Sequence, residues 1–196
     1  RARSSPLLGA STTMWRVPLV LRYKDDTGLH SQPFLFASAE QRVRLPIKGK
    51  LHWLWPNAGD MAFVSVSLDE TLLAGVISSV CDLAAGERVA LVRDLWMEVR
   101  SGQRPIASFL AAFAKLLDGE APYDVLDHMV GMLRAIERLL EADATAAPAL
   151  TAYRAWVASH LQASYRKLGP EPKADEDNQT RERRADLLRR DLSPLK

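Results

Sequence analysis

Apolar and polar residues alternate along the first part of the chain and change to a three- and four-residue spacing near residue 70. The segment WRVPLVLRY, residues 15–23, has apolar side chains at every second position and predicts a half-buried strand. PFLFAS, QRVRLPI, LHWLW and AFVSVSL predict four more short strands, with turn sequences at Asp25–Gly28 and Lys48–Lys50. Such short strands indicate an antiparallel sheet or sandwich.

Five amphipathic segments follow and predict an array of helices. Asp69 is placed to cap the first of them, ETLLAGVISSVCDLAA. The other four are ERVALVRDLWMEVRSG, IASFLAAFAKLLDG, PYDVLDHMVGMLRAIERLLEAD and PALTAYRAWVASHLQASYRKLG. Short links marked by Gly or Pro join them, so each helix is expected to lie antiparallel to the next. A polar loop, GPEPKADEDNQTRERR, is expected to lead to a terminal helix that starts at Asn178 or Thr180.

These patterns predict an α+β fold with two domains. Residues 1–68 are expected to form one domain, an antiparallel sheet or sandwich. Residues 69–196 are expected to form an α-helical domain of stacked antiparallel hairpins.

Composition and charge disfavour several classes of partner. The formal net charge of +2 comes from nearly balanced acids and bases, so neither nucleic acid nor a membrane is an expected partner. One cysteine, Cys81, rules out an internal disulfide and fits a reducing compartment, which favours the cytoplasm and leaves the periplasm open. No apolar run approaches the ~20 residues that span a bilayer. The abrupt opening RARSSPLLGASTTMW suggests a piece of a longer protein.

No residue of the chain is predicted to be catalytic, to bind a cofactor or to hold a metal. No two histidines have the four-residue spacing of a helical zinc site, and Asp127 and His128 point in different directions on a helix. A packing role is favoured for Cys81, and no glycines form a phosphate loop. The histidines are His30, His52, His128 and His160.

The tryptophans and the basic tail also favour structural roles. Four tryptophans occur at spacings that match sheet or helix interiors, so packing is favoured over a ligand box. Acids interrupt the segment TRERRADLLRR, and it lacks aromatic residues for base stacking, so a solvated helix face is favoured over nucleic-acid binding. The tryptophans are Trp53, Trp55, Trp96 and Trp156.

Several elements in succession resemble the non-catalytic C-terminal part of an M1-family zinc aminopeptidase. They are Trp15–Leu19, then Asn57–Val66, then Glu87–Arg88 with Asp94–Trp96. In that family a small β-sandwich ends in an Asn-x-Gly-x-x-x-Phe-Tyr-Arg-Val type strand, and a helical domain follows. LLDGEAPYDV, residues 116–125, resembles the junction between that domain's third and fourth helices. LGPEPKADEDNQTRERRADLL resembles its Leu-Gly-x-x-Pro-x-x-x-Glu-x-x-x-x-x-x-x-Arg linker.

This chain departs from the family pattern at three places. Val64-Ser65-Val66 stands in place of Tyr-Arg-Val, Glu87 in place of an Asp, and Leu126 in place of a Trp. Arg88 is a candidate for pairing with Asp94 or another carboxylate, and a weak surface ion pair is an equal alternative.

The resemblance implies an accessory function. The chain is expected to shape and restrict access to an active site that lies before residue 1, where the zinc-binding His-Glu-x-x-His helix would also lie. Its expected partners are the missing N-terminal catalytic domains and the parent's peptide substrate. The chain alone is not expected to be an enzyme, whereas the parent is expected to be a hydrolase that carries zinc. The resemblance also implies a small antiparallel β-sandwich over residues 1–68, whose N-terminal part is incomplete. For residues 69–196 it implies the first helices of a longer, HEAT-like array. The alternative is an independent helical-repeat module that binds a protein or peptide.

Overall fold

A computed structural model of the protein describes residues 15–118, 123–169, 171, 175–178, 180–182 and 184. The strands in it are β1 (Val17–Asp25), β2 (Gly28–Phe36) and β3 (Leu51–Trp55). The helices are α1 (Glu70–Ser78), α2 (Ala85–Arg100), α3 (Ile106–Asp118), α4 (Tyr123–Glu141) and α5 (Ala147–Leu168). Short 3-10 turns cover Ala58–Asp60, Val80–Asp82 and Ala144–Ala146. The fold is α+β, as predicted.

The chain divides into two compact units, residues 1–82 and residues 83–196. The first unit contains the sheet and α1, and the second contains α2 to α5. A compact unit is not the same as a domain that folds by itself. The predicted division into the domains 1–68 and 69–196 therefore stays a prediction.

The first unit is built on a three-stranded antiparallel sheet with the strand order β2-β1-β3. A two-residue turn joins β1 to β2, and Gly28 follows it with a φ of +128°, a conformation that favours glycine. The tryptophan side chains of β3, Trp53 and Trp55, are fully buried. The preference for packing at these two positions is therefore confirmed.

Helix α1 packs against β3 at a point where the helix has no side chain. A Cβ atom added at Gly75 would lie 2.5 Å from the backbone oxygen of His52. Asp69 caps the helix, as predicted, because its side chain accepts a hydrogen bond from the backbone N–H of Leu72 over 2.9 Å. Glycine at position 75 therefore sets how closely the helix approaches the strand.

Two of the five predicted strands are wrong. QRVRLPI, residues 41–47, and AFVSVSL, residues 62–68, form no strand with any described residue. Exposure still alternates between neighbours along 62–68, as the pattern indicated. Period-two burial needs only an extended backbone beside a core, whereas a strand is defined by a regular ladder of backbone hydrogen bonds to a neighbouring strand.

Cys81 is exposed, so the packing role favoured for it is wrong. The predicted helix would have continued to residue 85, but α1 ends at Ser78 and a 3-10 turn covers Val80–Asp82. In the 3-10 turn Val80 remains buried, whereas Cys81 and Asp82 are exposed.

In the second unit, helices pack both along the chain and across it. Helix α2 contacts α3 and α4, and α5 contacts α4 and α3. Rings continue this packing from Trp96 through Phe109 and Phe113 to Trp156, with neighbouring ring centroids 5.4 to 6.4 Å apart. Among the described residues, none of the helices combines the length and the hydropathy of a membrane-spanning segment.

Candidate functional site

The helical unit has a concave site on the side formed by α2 and α4. Its volume is ≈ 300 Å³. Trp96 contributes from α2, and the remaining lining residues lie on α4. The lining residues are Trp96, Asp127, His128, Val130, Gly131, Met132, Arg134 and Ala135. We call this the α2–α4 cavity.

Gly131 is a lining residue of the cavity that has no side chain. It lies in the middle of α4, is exposed, and a Cβ atom added there would meet no heavy atom within 4 Å. A glycine inside a helix costs about 0.5–1 kcal/mol relative to alanine. Since no neighbour in the described structure requires the missing side chain, its effect is to leave the α4 backbone open to a molecule in the cavity.

The charged groups of the cavity lie on the exposed face of α4. Asp127, His128 and Arg134 are exposed and form no hydrogen bond or ion pair with any described residue. By contrast, two other acids of α4 form ion pairs. Arg154 of α5 donates to Glu137 over 2.7 Å and to Glu141 over 2.6 Å. The hydrogen bond to Glu137 raises the pKa of Arg154. The cavity thus offers an acceptor, a donor and an imidazole to solvent.

Trp96 forms the apolar wall of the cavity. Its ring is half-buried, and it packs against Phe109 of α3 with 5.5 Å between ring centroids. Phe109 is itself buried and contacts Phe113. The indole is therefore held by packing and presents a fixed apolar edge to the cavity.

A buried ion pair stabilises the segment that follows α5. Arg184 is buried, donates from Nε to the Gly169 carbonyl oxygen over 2.9 Å, and forms a two-pronged pair with the carboxylate of Glu176. Asp177 starts the helical turn that carries Arg184, because its side chain accepts from the backbone N–H of Thr180 over 2.7 Å. The terminal helix therefore begins at Asn178 with Asp177 as its cap, which confirms the first of the two predicted starts.

A second buried ion pair ties α2 to the link before α3. Arg104 donates from Nε to Glu98 Oε2 over 2.5 Å, and both side chains are buried. The backbone N–H groups of Gln103 and Arg104 also donate to the Glu98 carbonyl oxygen. This arrangement fixes the reversal of the chain between the two helices. Nothing in the sequence pattern indicated it.

Asp82 connects the 3-10 turn Val80–Asp82 to the sheet by hydrogen bonds. Its carboxylate accepts from Lys24 Nζ over 2.8 Å and from Trp53 Nε1 over 3.2 Å, and its backbone oxygen accepts from Arg22 over 2.8 Å. The hydrogen bond from Lys24 lowers the pKa of Asp82. The pattern in the sequence did not indicate this cluster either.

His30 and His52 lie beside acids in the first unit. Nε2 of His30 is 2.9 Å from Asp25 Oδ1, and Nε2 of His52 is 2.9 Å from Asp26 Oδ1. The backbone N–H of Lys48 and then the Thr27 hydroxyl hold the pKa of Asp25 well below its usual range. These contacts order the turn between β1 and β2.

The remaining predicted residues lie in the helical unit. His160 packs on Trp156 with 4.7 Å between ring centroids, whereas His128 lies in the α2–α4 cavity. Arg88 donates from Nε to the Leu83 carbonyl oxygen over 3.0 Å, and Asp94 accepts from its neighbour Arg93 over 3.1 Å. Within the described residues, no group of three or more His, Cys, Asp or Glu could hold a metal ion.

The chain matches one known family. Residues 53–191 match the family described as ERAP1-like C-terminal domain, which covers most of the chain. This match confirms the resemblance to the C-terminal part of an M1 aminopeptidase. A search among curated proteins finds no match.

Proposed function

The chain belongs to the family of ERAP1-like C-terminal domains, and from this premise we propose that it shapes and restricts access to the active site of a zinc-dependent M1-type aminopeptidase. That active site lies upstream of residue 1, and the chain itself is the non-catalytic C-terminal segment. The observation that carries the proposal is the family match over residues 53–191.

The packing of the helical unit supports a role as a wall. Helices α2 and α3 contact each other, as do α4 and α5, while α2 also contacts α4 and α3 also contacts α5. Contacts between second neighbours are what two stacked helical hairpins produce, with one layer made of α2 and α4 and the other of α3 and α5. We propose that this is the start of a HEAT-like array whose concave side faces the substrate.

The proposal places the zinc in the parent protein, outside the residues described in this structure. Those residues do not supply a set of three or more metal donors, so no step of hydrolysis is assigned to them. Their contribution is steric. A stiff helical layer limits which peptides reach the catalytic centre, and the buried pairs Glu98–Arg104 and Glu176–Arg184 hold the links between its helices.

The proposal extends to the domain organisation. The sheet of the first unit would be part of a β-sandwich, with residues 1–68 as one domain and residues 69–196 as the helical domain. The N-terminal catalytic domains of the parent are the expected partners, and a peptide is the expected substrate.

The test uses the full-length parent protein with two substrates, an aminoacyl amide and a long peptide with the same N-terminal residue. The proposal expects zinc-dependent hydrolysis of both, and deletion of residues 83–196 should change the ratio of the two kcat/KM values while amide hydrolysis survives. Hydrolysis of the amide by the truncated parent shows that its catalytic part is folded. An unchanged ratio would contradict the steric role.

A control uses the 196-residue chain alone. It should not hydrolyse the aminoacyl amide at any zinc concentration. Activity that stays with the chain through repeated purification would place the active site within it and overturn the proposal.

A further inference from the structure

We infer that residues 41–50, the segment between β2 and β3, form a docking surface for an acidic, extended peptide segment of a partner protein. The partner segment pairs with them as an added strand. We call residues 41–50 the basic segment. The inference is carried by the charge of this segment, by the alternating exposure of its side chains and by a backbone that has no described hydrogen-bond partner.

The basic segment carries four positive side chains that are not paired. All four are exposed, and their side chains form no hydrogen bond or ion pair with any described residue. The sequence contains no acid between the first and the last of them. The segment therefore presents a local positive field that favours an acidic partner. The four residues are Arg42, Arg44, Lys48 and Lys50.

Two of these charges lie on the same side of the chain. Arg42 and Arg44 are exposed, whereas Val43 and Leu45 are half-buried. This is the pattern of an extended chain, in which every second side chain points the same way. The two arginines are then about 6.6–6.8 Å apart along the chain, at 3.3–3.4 Å per residue. Acidic side chains at every second position of an extended partner have the same spacing and also share one face.

The backbone of the segment is available for pairing. The backbone groups of residues 42–47 form no hydrogen bond with any described residue. An extended chain of this kind can accept an added strand, in which main-chain hydrogen bonds hold the partner and alternate side chains select it. Because Pro46 has no N–H group, the pairing is expected within residues 41–45. The strand-like sequence of this segment would thus obtain its hydrogen-bonded neighbour from the partner.

Contacts at both ends hold the segment in place. The backbone N–H groups of Lys48 and Lys50 donate to carboxylate oxygens, each over 2.8 Å, and the acceptors are Asp25 and Asp26. At the other end, the side chain of Gln41 accepts from the backbone N–H of the first residue after β2 over 3.1 Å. Since the chain is anchored on both sides, less conformational freedom is lost when a partner binds.

A polypeptide fits this surface better than other anions do. Residues 37–50 contain no aromatic side chain on which a base could stack. Ile47 is the exposed large apolar side chain of the segment, and one such side chain does not insert a protein into lipid. Neither nucleic acid nor lipid supplies the main-chain groups that the backbone lacks. A second copy of the segment would place like charges opposite each other, which is destabilising.

Charge on an extended segment also has a protective explanation. Positive side chains and a proline prevent the edges of sheets from pairing with other chains. That explanation expects no peptide to bind the basic segment. Docking expects an acidic peptide to bind it, with a preference for acids at alternate positions.

The experiment measures binding of blocked peptides to the 196-residue chain by NMR and by amide hydrogen exchange. The first peptide is Thr-Glu-Val-Glu-Val-Thr, with its acids at alternate positions. The second, Thr-Glu-Glu-Val-Val-Thr, has the same composition but places its acids on opposite faces. The first should bind more tightly and protect alternate backbone amides of residues 41–45. Equal affinity of the two peptides, or no protection of these amides, would overturn the inference.

A pair of double variants separates local charge from net charge. Arg42→Gln with Arg44→Gln should weaken binding of the first peptide by up to about fivefold for each lost ion pair. The matched control is Arg134→Gln with Arg138→Gln, which removes the same charge from two exposed arginines of α4 whose side chains have no described partner. The control should leave the affinity unchanged. If both double variants weaken binding equally, the basic segment is not the site.

Two further probes test other anions. A single-stranded oligothymidylate and vesicles that contain phosphatidylserine should bind more weakly than the first peptide and should protect none of the amides of residues 41–45. Tighter binding of either probe would show a general anion surface and would contradict docking of a peptide. These measurements do not use the parent enzyme, so their outcome is independent of the test of the proposed function.

Discussion

The guanidinium of Arg184 pairs with the carboxylate of Glu176, and the two side chains are only 2% and 6% exposed. The two residues fall on the Glu and the Arg of the Leu-Gly-x-x-Pro-x-x-x-Glu-x-x-x-x-x-x-x-Arg pattern, and the carbonyl group of its glycine, Gly169, accepts a further hydrogen bond from Arg184. One arginine thus joins the end of α5 to the turn before the next helix. These contacts explain why the linker pattern contains a Gly, a Glu and an Arg at these spacings.

Replacing Arg184 should destabilise the helical unit strongly. Arg184→Ala leaves the buried carboxylate of Glu176 without its partner, and removing one partner of a buried pair costs about 3–5 kcal/mol. Urea unfolding followed by far-ultraviolet circular dichroism measures the change. Arg181→Ala, at an exposed position three residues earlier, should alter the free energy of unfolding by less than about 0.5 kcal/mol. Equal effects of the two variants would show that the pair does not stabilise the fold.

Replacing Gly75 should show how closely α1 approaches β3. The added methyl group in Gly75→Ala would lie 2.5 Å from the His52 carbonyl oxygen, so the helix must move, at a cost of about 1–3 kcal/mol. Gly131→Ala is the matched control, because its methyl group enters open space and should stabilise the chain by about 0.5–1 kcal/mol. Chemical denaturation measures both changes, and a stabilising Gly75→Ala would contradict the close approach.

The sequence predicted an element well where the residues within or next to one segment determine its structure. The strand LHWLW coincides with β3, and Asp69 caps α1 because a cap needs only the residues next to it. The same reasoning failed at residues 41–47 and 62–68, since a strand also depends on a neighbour distant in the sequence. Alternation in these segments reports which side faces the core, and that information is not enough to assign a strand.

The candidate site could be predicted only in part. The sequence pattern favours a structural role for Trp96 and, separately, for His128. Their common location depends on the packing of α2 against α4, which the sequence pattern does not specify. Gly131 carries a usable signal, because a glycine in the middle of an amphipathic helix lowers its stability without an evident local reason.

The acid stability of the first unit should depend on Asp25. Its pKa is lowered in the folded state, mainly by the backbone N–H of Lys48 and then by the Thr27 hydroxyl. Its stabilising contribution is therefore present above the unfolded-state pKa of about 3.9 and is lost as pH falls below that value towards the lowered folded-state pKa. Asp25→Asn should be less stable than the unmodified chain at neutral pH, and the difference should shrink below about pH 4.

Urea unfolding at a series of pH values from neutral to acid measures this difference. The control is Asp127→Asn, because Asp127 is exposed and accepts no hydrogen bond from any described residue. It should change the free energy of unfolding by less than about 0.5 kcal/mol at neutral pH. A constant difference between Asp25→Asn and the unmodified chain at all pH values would show that the Asp25 carboxylate does not stabilise the fold through its charge.

Cys81 should react with a thiol reagent in the native protein. It lies exposed on the 3-10 turn after α1, so labelling does not require unfolding. The expected result is one label per chain under native conditions, at a rate that urea raises only modestly, and the rate is followed with a chromogenic disulfide reagent. Cys81→Ser should abolish labelling, because the chain has a single cysteine. If labelling became fast only in urea, Cys81 would be buried in the native state, and α1 would continue through residue 81 as the apolar periodicity predicts.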